Sequence, residues 1–306
     1  MKCILLSCCT AMIAVSAFAQ NPDKALARVR YTFSHIEDTT QRDKPSTENM
    51  LLVTGNNASV YTSYDKINQM ANMRNQIMEQ VKNQAGNTTQ NIKVESKSSK
   101  PITQVDYFFF ANENKMITKE RLFNSYLVEE PAATIDWKIT KDTMSFSGVH
   151  CQKATTHFKG RNWIAWFATE IPFQSGPWML NGLPGLIVEA YDEKKEVQFQ
   201  FAGLEKVIEE ADKTEKSAVA GTTIKMVGIE TDNYLGGEIK LPTDAIKTTR
   251  KELDKLKAAR DNDPQGFMQA QMAANGINGS FKSNTVRTPG TVKKEINNPI
   301  ELPEKK

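Results

Sequence analysis

The sequence is poor in the residues that usually announce chemistry. Of its 306 residues three are histidine and four are cysteine. Cys3, Cys8 and Cys9 lie together at the start of the chain, so an export signal there would remove them and leave Cys151 alone. A single thiol makes no intramolecular disulfide, and stability must come from a core. No uninterrupted apolar run approaches the roughly 20 residues that cross a bilayer as a helix. Charge of one sign is not in excess: 39 Lys and Arg stand against 36 Asp and Glu, for a net +3. That balance gives no basis for a nucleic-acid partner or an anionic membrane surface. The sequence motifs for dinucleotide-binding, P-loop, nucleophile-elbow and zincin sites are missing; Ser175 sits in Phe173-Gln174-Ser175-Gly176-Pro177. The run from Asp261 to Gly266 imitates the start of a calcium loop, but Met272 stands where the bidentate glutamate is required, so it reads as a polar helix break.

What is present begins with an address. Lys2 precedes an apolar stretch from Ile4 to Phe18 that ends in Ala17-Phe18-Ala19. A positive start, a short apolar segment and small residues around a cleavage site describe a secretory signal peptide over residues 1–19. Leu5-Leu6-Ser7-Cys8 loosely resembles a lipidation motif, but the apolar segment before Cys8 is too short for one. The expected location is the periplasm or outer membrane, or the exterior.

Beyond the leader the apolar period is mostly two. Ala27 to His35 alternates, which marks a strand with one buried face. Met50–Val53 and Ser59–Tyr64 flank Gly55-Asn56-Asn57 as a hairpin. Further hairpins are expected around residues 111–114, 159–162 and 192–195, with an alternating Ile135, Trp137 and Ile139 between them. Ile67, Met70, Met73, Ile77 and Val81 recur at helical spacing behind Asp65, placed as the cap. A second helical stretch runs from Thr243 to about Ala274, broken at Pro264. Residues 83–100 read as a mobile loop, 209–230 as a connection and strand, and 276–306 as a mobile tail. The expected fold is therefore mainly β (α+β). It is one domain over residues 20–275, a curved antiparallel sheet, bowl-like or half-barrel, with two helical insertions.

Candidate chemistry is thin. Along one strand Cys151 and His157 lie about 20 Å apart at ~3.3 Å per residue, and His150 points to the opposite face from Cys151. That geometry argues against an intrastrand dyad or local metal site and favours Cys151 as a core residue over a redox-active or metal-binding one. Glu129-Glu130 and Glu209-Glu210 face apart in a strand and read as solvated. Trp163, Trp166, Phe167, Phe173 and Trp178 crowd one short span. Such density makes either one side of a core or an aromatic-lined concavity for an apolar or peptide-like ligand, with Trp163, Trp166 and Trp178 as its binding residues. Gly182-Leu183-Pro184-Gly185 is a rigid turn that supplies no catalytic group.

The ordered series Cys151-Gln152-Lys153-Ala154, Phe158-Lys159-Gly160-Arg161, Ala165-Trp166-Phe167, Ile171-Pro172, Gly176-Pro177-Trp178 and Gly182-Leu183-Pro184-Gly185-Leu186-Ile187 resembles the signature of the GLPGLI family. This Bacteroidetes family is also labelled Porph_ging. The dense match runs from about Trp137 to Val207; the ending Asn298-Pro299-Ile300-Glu301-Leu302 fits more loosely. The resemblance implies export into a Gram-negative envelope and a β-rich fold. It carries over no catalytic residue, cofactor or metal. The leading expectation is a non-enzymatic envelope protein that binds an apolar ligand, peptide or partner protein on a concave face. The alternatives are a hydrolase assembled from distant residues such as His35, His157 and Glu189, and an assembly partner of an outer-membrane complex.

Overall fold

The computed structural model describes residues 22–83, 102–207, 234–276 and 296–304. The chain builds two antiparallel meanders. The first holds β2 (Ala27–His35), β3 (Ser46–Thr54), β4 (Ala58–Ser63), β5 (Val105–Phe110), β6 (Lys115–Arg121) and β7 (Ser125–Pro131). The second holds β8 (Lys138–Phe146), β9 (Val149–Phe158), β10 (Arg161–Ala168), β11 (Leu186–Asp192) and β12 (Val197–Lys206). Their first and last members pair antiparallel from Ala27↔Lys206 to His35↔Val197, which fuses the meanders into one sheet. A short β14 (Ile246–Thr248) adds parallel to β7, giving twelve strands. A separate ribbon pairs β1 (Asp23–Lys24) with β13 (Glu238–Ile239). Helix α1 (Tyr64–Asn83) follows β4, and α2 (Arg250–Asn262) and α3 (Pro264–Ala274) follow β14.

The sheet is open but strongly curved. Tyr61 and Phe199 lie three strands apart, which on a flat sheet is roughly 14 Å at ~4.8 Å per strand. Their ring centroids are 6.1 Å apart. The face that carries both rings is therefore the concave one. It also carries Tyr31, Leu52 and Trp163, which belong to the largest buried cluster. The convex face holds Leu51, Val53, Val60 and Phe108. Because β3 and β4 lie between two cores, their residues are buried almost without alternation. The clean alternation expected for a one-sided sheet is thus lost in the middle.

Local chemistry explains the boundaries. The Ser63 hydroxyl accepts from the Lys66 amide at 2.9 Å and caps α1. Asp65 does not cap: its carboxylate accepts from the Asn49 amide and side chain, both at 3.0 Å, and ties α1 to β3. Asp263 accepts from the Gly266 amide at 2.9 Å, so the imitation calcium loop is the cap of α3 after the break at Pro264. Two strands escaped the sequence pattern. β7 has one face on the convex core and the other under α2, so it shows no alternation. β8 is an edge strand, exposed along nearly its whole length and bulged between Ile139 and Thr143. A bulge with Lys141 and Asp142 at its centre discourages pairing with another chain.

The expected strand in 209–230 and nearly all of the expected loop at 83–100 lie outside the described residues. The tail is different from its expectation. Within 276–306, residues 296–304 form a strap held against the sheet: Asn298 is 4% exposed, and the Leu302 amide donates to the Lys159 carbonyl at 3.0 Å. Its composition is loop-like, but long-range side chains supply its partners.

Candidate functional site

The aromatic cluster is in place, and it is filled. Trp163 is 1% exposed, Trp166 5% and Trp178 5%. Trp163 lies 5.6 Å from Trp178 and 6.1 Å from Phe199, centroid to centroid, and Trp178 lies 5.8 Å from Phe158. Trp166, three residues from Trp163, falls on the other face of β10 and meets Phe146 and the Lys153 ammonium. The three tryptophans therefore do not line one open surface. Trp163 and Trp178 are inside the bowl, and Trp166 packs behind it.

The bowl is plugged by residues 169–185, which carry Trp178, Leu180 and Leu183 onto the concave face. The resemblance motifs acquire physical reasons here. A side chain at Gly185 would place its Cβ 2.2 Å from the Ala168 carbonyl oxygen, so only glycine lets the plug close on β10. The plug is laced to β11 by amides of Leu186 and Ile187 donating to Ile171 and Ser175 carbonyls at 2.9 and 3.0 Å. Trp178 itself has φ of 56°, a left-handed conformation that costs a bulky residue of order 1–3 kcal/mol. Burial of its indole in the aromatic cluster offsets that cost.

Two cradles of buried charge flank the bowl. On the convex face Asp106 is fully buried, with Lys66 Nζ at 2.5 Å, Lys119 Nζ at 3.3 Å and the Tyr234 hydroxyl at 2.7 Å. Burial pushes the Asp106 carboxyl up, but the two ammonium groups and their hydrogen bonds outweigh it and hold the carboxyl below its usual range. At the hairpin end, the Arg161 guanidinium donates to Asp192 at 2.9 Å and Glu196 at 3.4 Å, and to Asn298, Pro299 and Ile300 oxygens, each at 2.7 Å. Arg161 thus clamps the strap.

The residues named for hydrolysis are not brought together. His35 and His157 stand on β2 and β9, four strands apart. His35 Nε2 meets the Asn298 carbonyl at 2.7 Å, and burial pushes its pKa down. Glu189 on β11 accepts from the Phe201 amide at 3.4 Å. Cys151 is 3% exposed, and burial, with the Glu189 charge behind it, pushes its thiol up to about 11, the opposite of an activated nucleophile. Glu129 and Glu130 part as expected, toward Lys115 and Arg250 respectively. Among the described residues no group of three or more His, Cys, Asp and Glu side chains is placed to hold a metal ion, and no helix is long and apolar enough to cross a membrane.

His157 has a different role. Its Nδ1 meets Asn162 at 2.8 Å and its Nε2 meets Glu304 at 2.8 Å. The Asn162 contact first and Glu304 second raise the imidazole pKa, and His157 in turn lowers that of Glu304. A raised histidine stabilises fully below its unfolded value near 6.5 and loses that contribution as pH rises through the folded value. A lowered carboxylate contributes above its unfolded value and loses it as pH falls through the folded one. The contact of strap and hairpin is therefore strongest between the two folded values. An NMR titration of His157 should give a midpoint above 6.5, moved part of the way back by Glu304→Gln; a wild-type midpoint at or below 6.5 contradicts the contact.

A further candidate, which the sequence did not signal, is on the rim. A cleft of about 220 Å³ opens where the β3–β4 turn, the β5–β6 turn and the plug meet. Asn56, Asn57 and Asn112 come from the turns, Pro172, Gln174 and Ser175 from the plug, and Phe109 from β5. The Thr54 and Ser175 hydroxyls, both buried, are 3.0 Å apart at its base. The Asn112 side-chain Nδ2 donates to the Asn57 side-chain Oδ1 at 2.7 Å across the two turns. Phe109 is half-buried and belongs to none of the core clusters. In sequence these residues are turn asparagines and one phenylalanine of a strand, which carry no signal until the chain is folded.

No family model matches the chain, and no curated protein does. Among solved structures it is similar to PNGF-II in two crystal forms. One comparison gives a TM-score of 0.43 at 12% identity over 62% of this chain. The other gives 0.46 at 10% identity over 76% of it. This chain covers 30% and 32% of those chains.

Proposed function

We propose that this is a non-catalytic exported protein of the GLPGLI type that binds its ligand at the rim of the bowl. The cleft formed by the two turns and the plug carries this reading. It is open beside an interior whose tryptophans are at most 5% exposed, so a ligand reaches the rim without unpacking the core. Support against catalysis comes from the separation of His35, His157 and Glu189 and from the raised thiol of Cys151. The leader-like residues 1–19 support export into the envelope, and the ordered motifs from Cys151 to Ile187 support the family.

The reading is tested by mass spectrometry of what co-purifies with the protein under native conditions. Wild type should retain a small molecule or peptide that Asn112→Trp loses, because an indole at this exposed turn fills the cleft without entering the core. Equal retention by both proteins, or none by wild type, would contradict the reading.

A further inference from the structure

We infer that the ligand of the rim cleft is a neutral saccharide, held as one pyranose-sized unit, an inference that rests on the cleft being the binding site. The first ground is charge. A quarter of the chain is charged, yet none of the residues lining this cleft is. Another open cleft, between β7 and the start of α2, has Glu129, Glu130, Lys247 and Arg250 among its lining residues. An ionic ligand would call for opposite charges in the wall; the nearest carboxylate, Asp23, is not among the lining residues and is held behind the turn by the Asn57 and Ala58 amides, both at 2.7 Å.

The second ground is hydrogen-bonding type. Asn56, Asn112 and Gln174 each present a donor and an acceptor on one planar amide. A sugar hydroxyl also donates and accepts, so vicinal hydroxyls and side-chain amides pair without either partner carrying charge. An apolar ligand would desolvate these amides and leave them unpaired, which disfavours its binding. The Thr54–Ser175 hydroxyl pair adds a fixed acceptor and donor at the base.

The third ground is shape. Phe109 is an aromatic ring that the core does not use, standing in the wall of a polar cleft. A ring in that position suits the C–H face of a pyranose, which is apolar on the face and polar around the edge. At about 220 Å³ the cleft is below the roughly 300–1,000 Å³ of sites for larger ligands, so it holds one sugar ring. An extended peptide would need a free strand edge for its backbone. The strands leading into the rim, β3, β4, β5 and β6, are each paired on both sides.

The test is saturation-transfer NMR on the full folded protein with a panel of neutral probes: N-acetylglucosamine, methyl mannoside, methyl galactoside and a cellobiose-type disaccharide. A capped tripeptide amide and decanoate serve as controls, and backbone amide shifts report the location. At least one saccharide should bind and shift the amides of Asn56 and Asn112. Phe109→Ala and Gln174→Ala should each weaken it at least tenfold while melting within a few degrees of wild type. Gln174 is exposed in the plug, so its variant keeps the test valid if Phe109→Ala folds poorly. Binding of the peptide or decanoate at these amides, with no saccharide binding, would overturn the sugar assignment and leave the rim site standing. No probe shifting them would overturn both.

Discussion

Arg161→Leu is expected to destabilise the protein by about 3–5 kcal/mol, the range for removing one partner from a buried ion pair. The Arg161 side chain is 2% exposed, and Asp192 and Glu196 beside it are 4% and 7% exposed. Without the guanidinium Asp192 keeps the amides of Glu196 and Val197, at 2.6 and 2.8 Å, but loses its cation. Glu196 keeps the ion pair with Arg42, whose side chain is half exposed. The strap would lose three of its anchors at once, because all three are oxygens accepting from this one side chain. Arg161→Lys should rescue little, since one ammonium cannot reproduce five donors in a planar fork. Against a total of roughly 5–15 kcal/mol the loss is large enough to read in urea unfolding. Hydrogen exchange of residues 296–304 would show whether the strap leaves first. A variant within 1 kcal/mol of wild type, with the strap still protected, would contradict the clamp.

Asp106→Leu is expected to cost a similar amount, about 3–5 kcal/mol, from the opposite face of the sheet. Lys66 is on α1, Lys119 on β6, Thr62 on β4 and Tyr234 ahead of β13, so one carboxylate ties four separate parts of the chain together. Its removal takes away the negative charge that two ammonium groups at 2% and 1% exposure face directly. The same carboxyl sets an acid limit. Because its folded pKa is lowered from 3.8, its contribution is complete above the unfolded value and lost only as pH falls through the lowered one. Wild type should therefore hold its stability down to about pH 4 as far as this group is concerned, and urea midpoints at pH 7 and about pH 4 check both statements. An Asp106→Leu protein as stable as wild type at pH 7 would remove the cluster from the account.

The meander was legible in the sequence wherever a turn announced itself. Lys159 and Gly160, with φ of 51° and 70°, make the two-residue hairpin between β9 and β10 that their residue types require. Gly160 also touches the strap: a Cβ there would lie 2.4 Å from the Leu302 carbonyl, a constraint that no local pattern carries. The crowding of Trp163, Phe167 and Trp178 was visible, but not whether those rings face a ligand or one another. That depends on the plug folding back over them, which is a matter of tertiary contact. In the sequence Asp106 lies in a β-rich run and Arg161 in the expected turn over 159–162, and neither position signals a buried charge. Their burial follows from α1 and the strap covering them, elements distant in sequence. The rim cleft was illegible for the same reason, since it joins turns about 55 residues apart to a plug a further 60 residues on.

The central claim is that the bowl's aromatic interior is packed and that the rim is open. Hydroxyl-radical footprinting of the free protein reads both at once. The account predicts slow oxidation of Trp163, Trp166 and Trp178 and ready oxidation of Phe109. Oxidation of Trp163 and Trp178 at rates near those of the unfolded chain, with Phe109 protected, would contradict it.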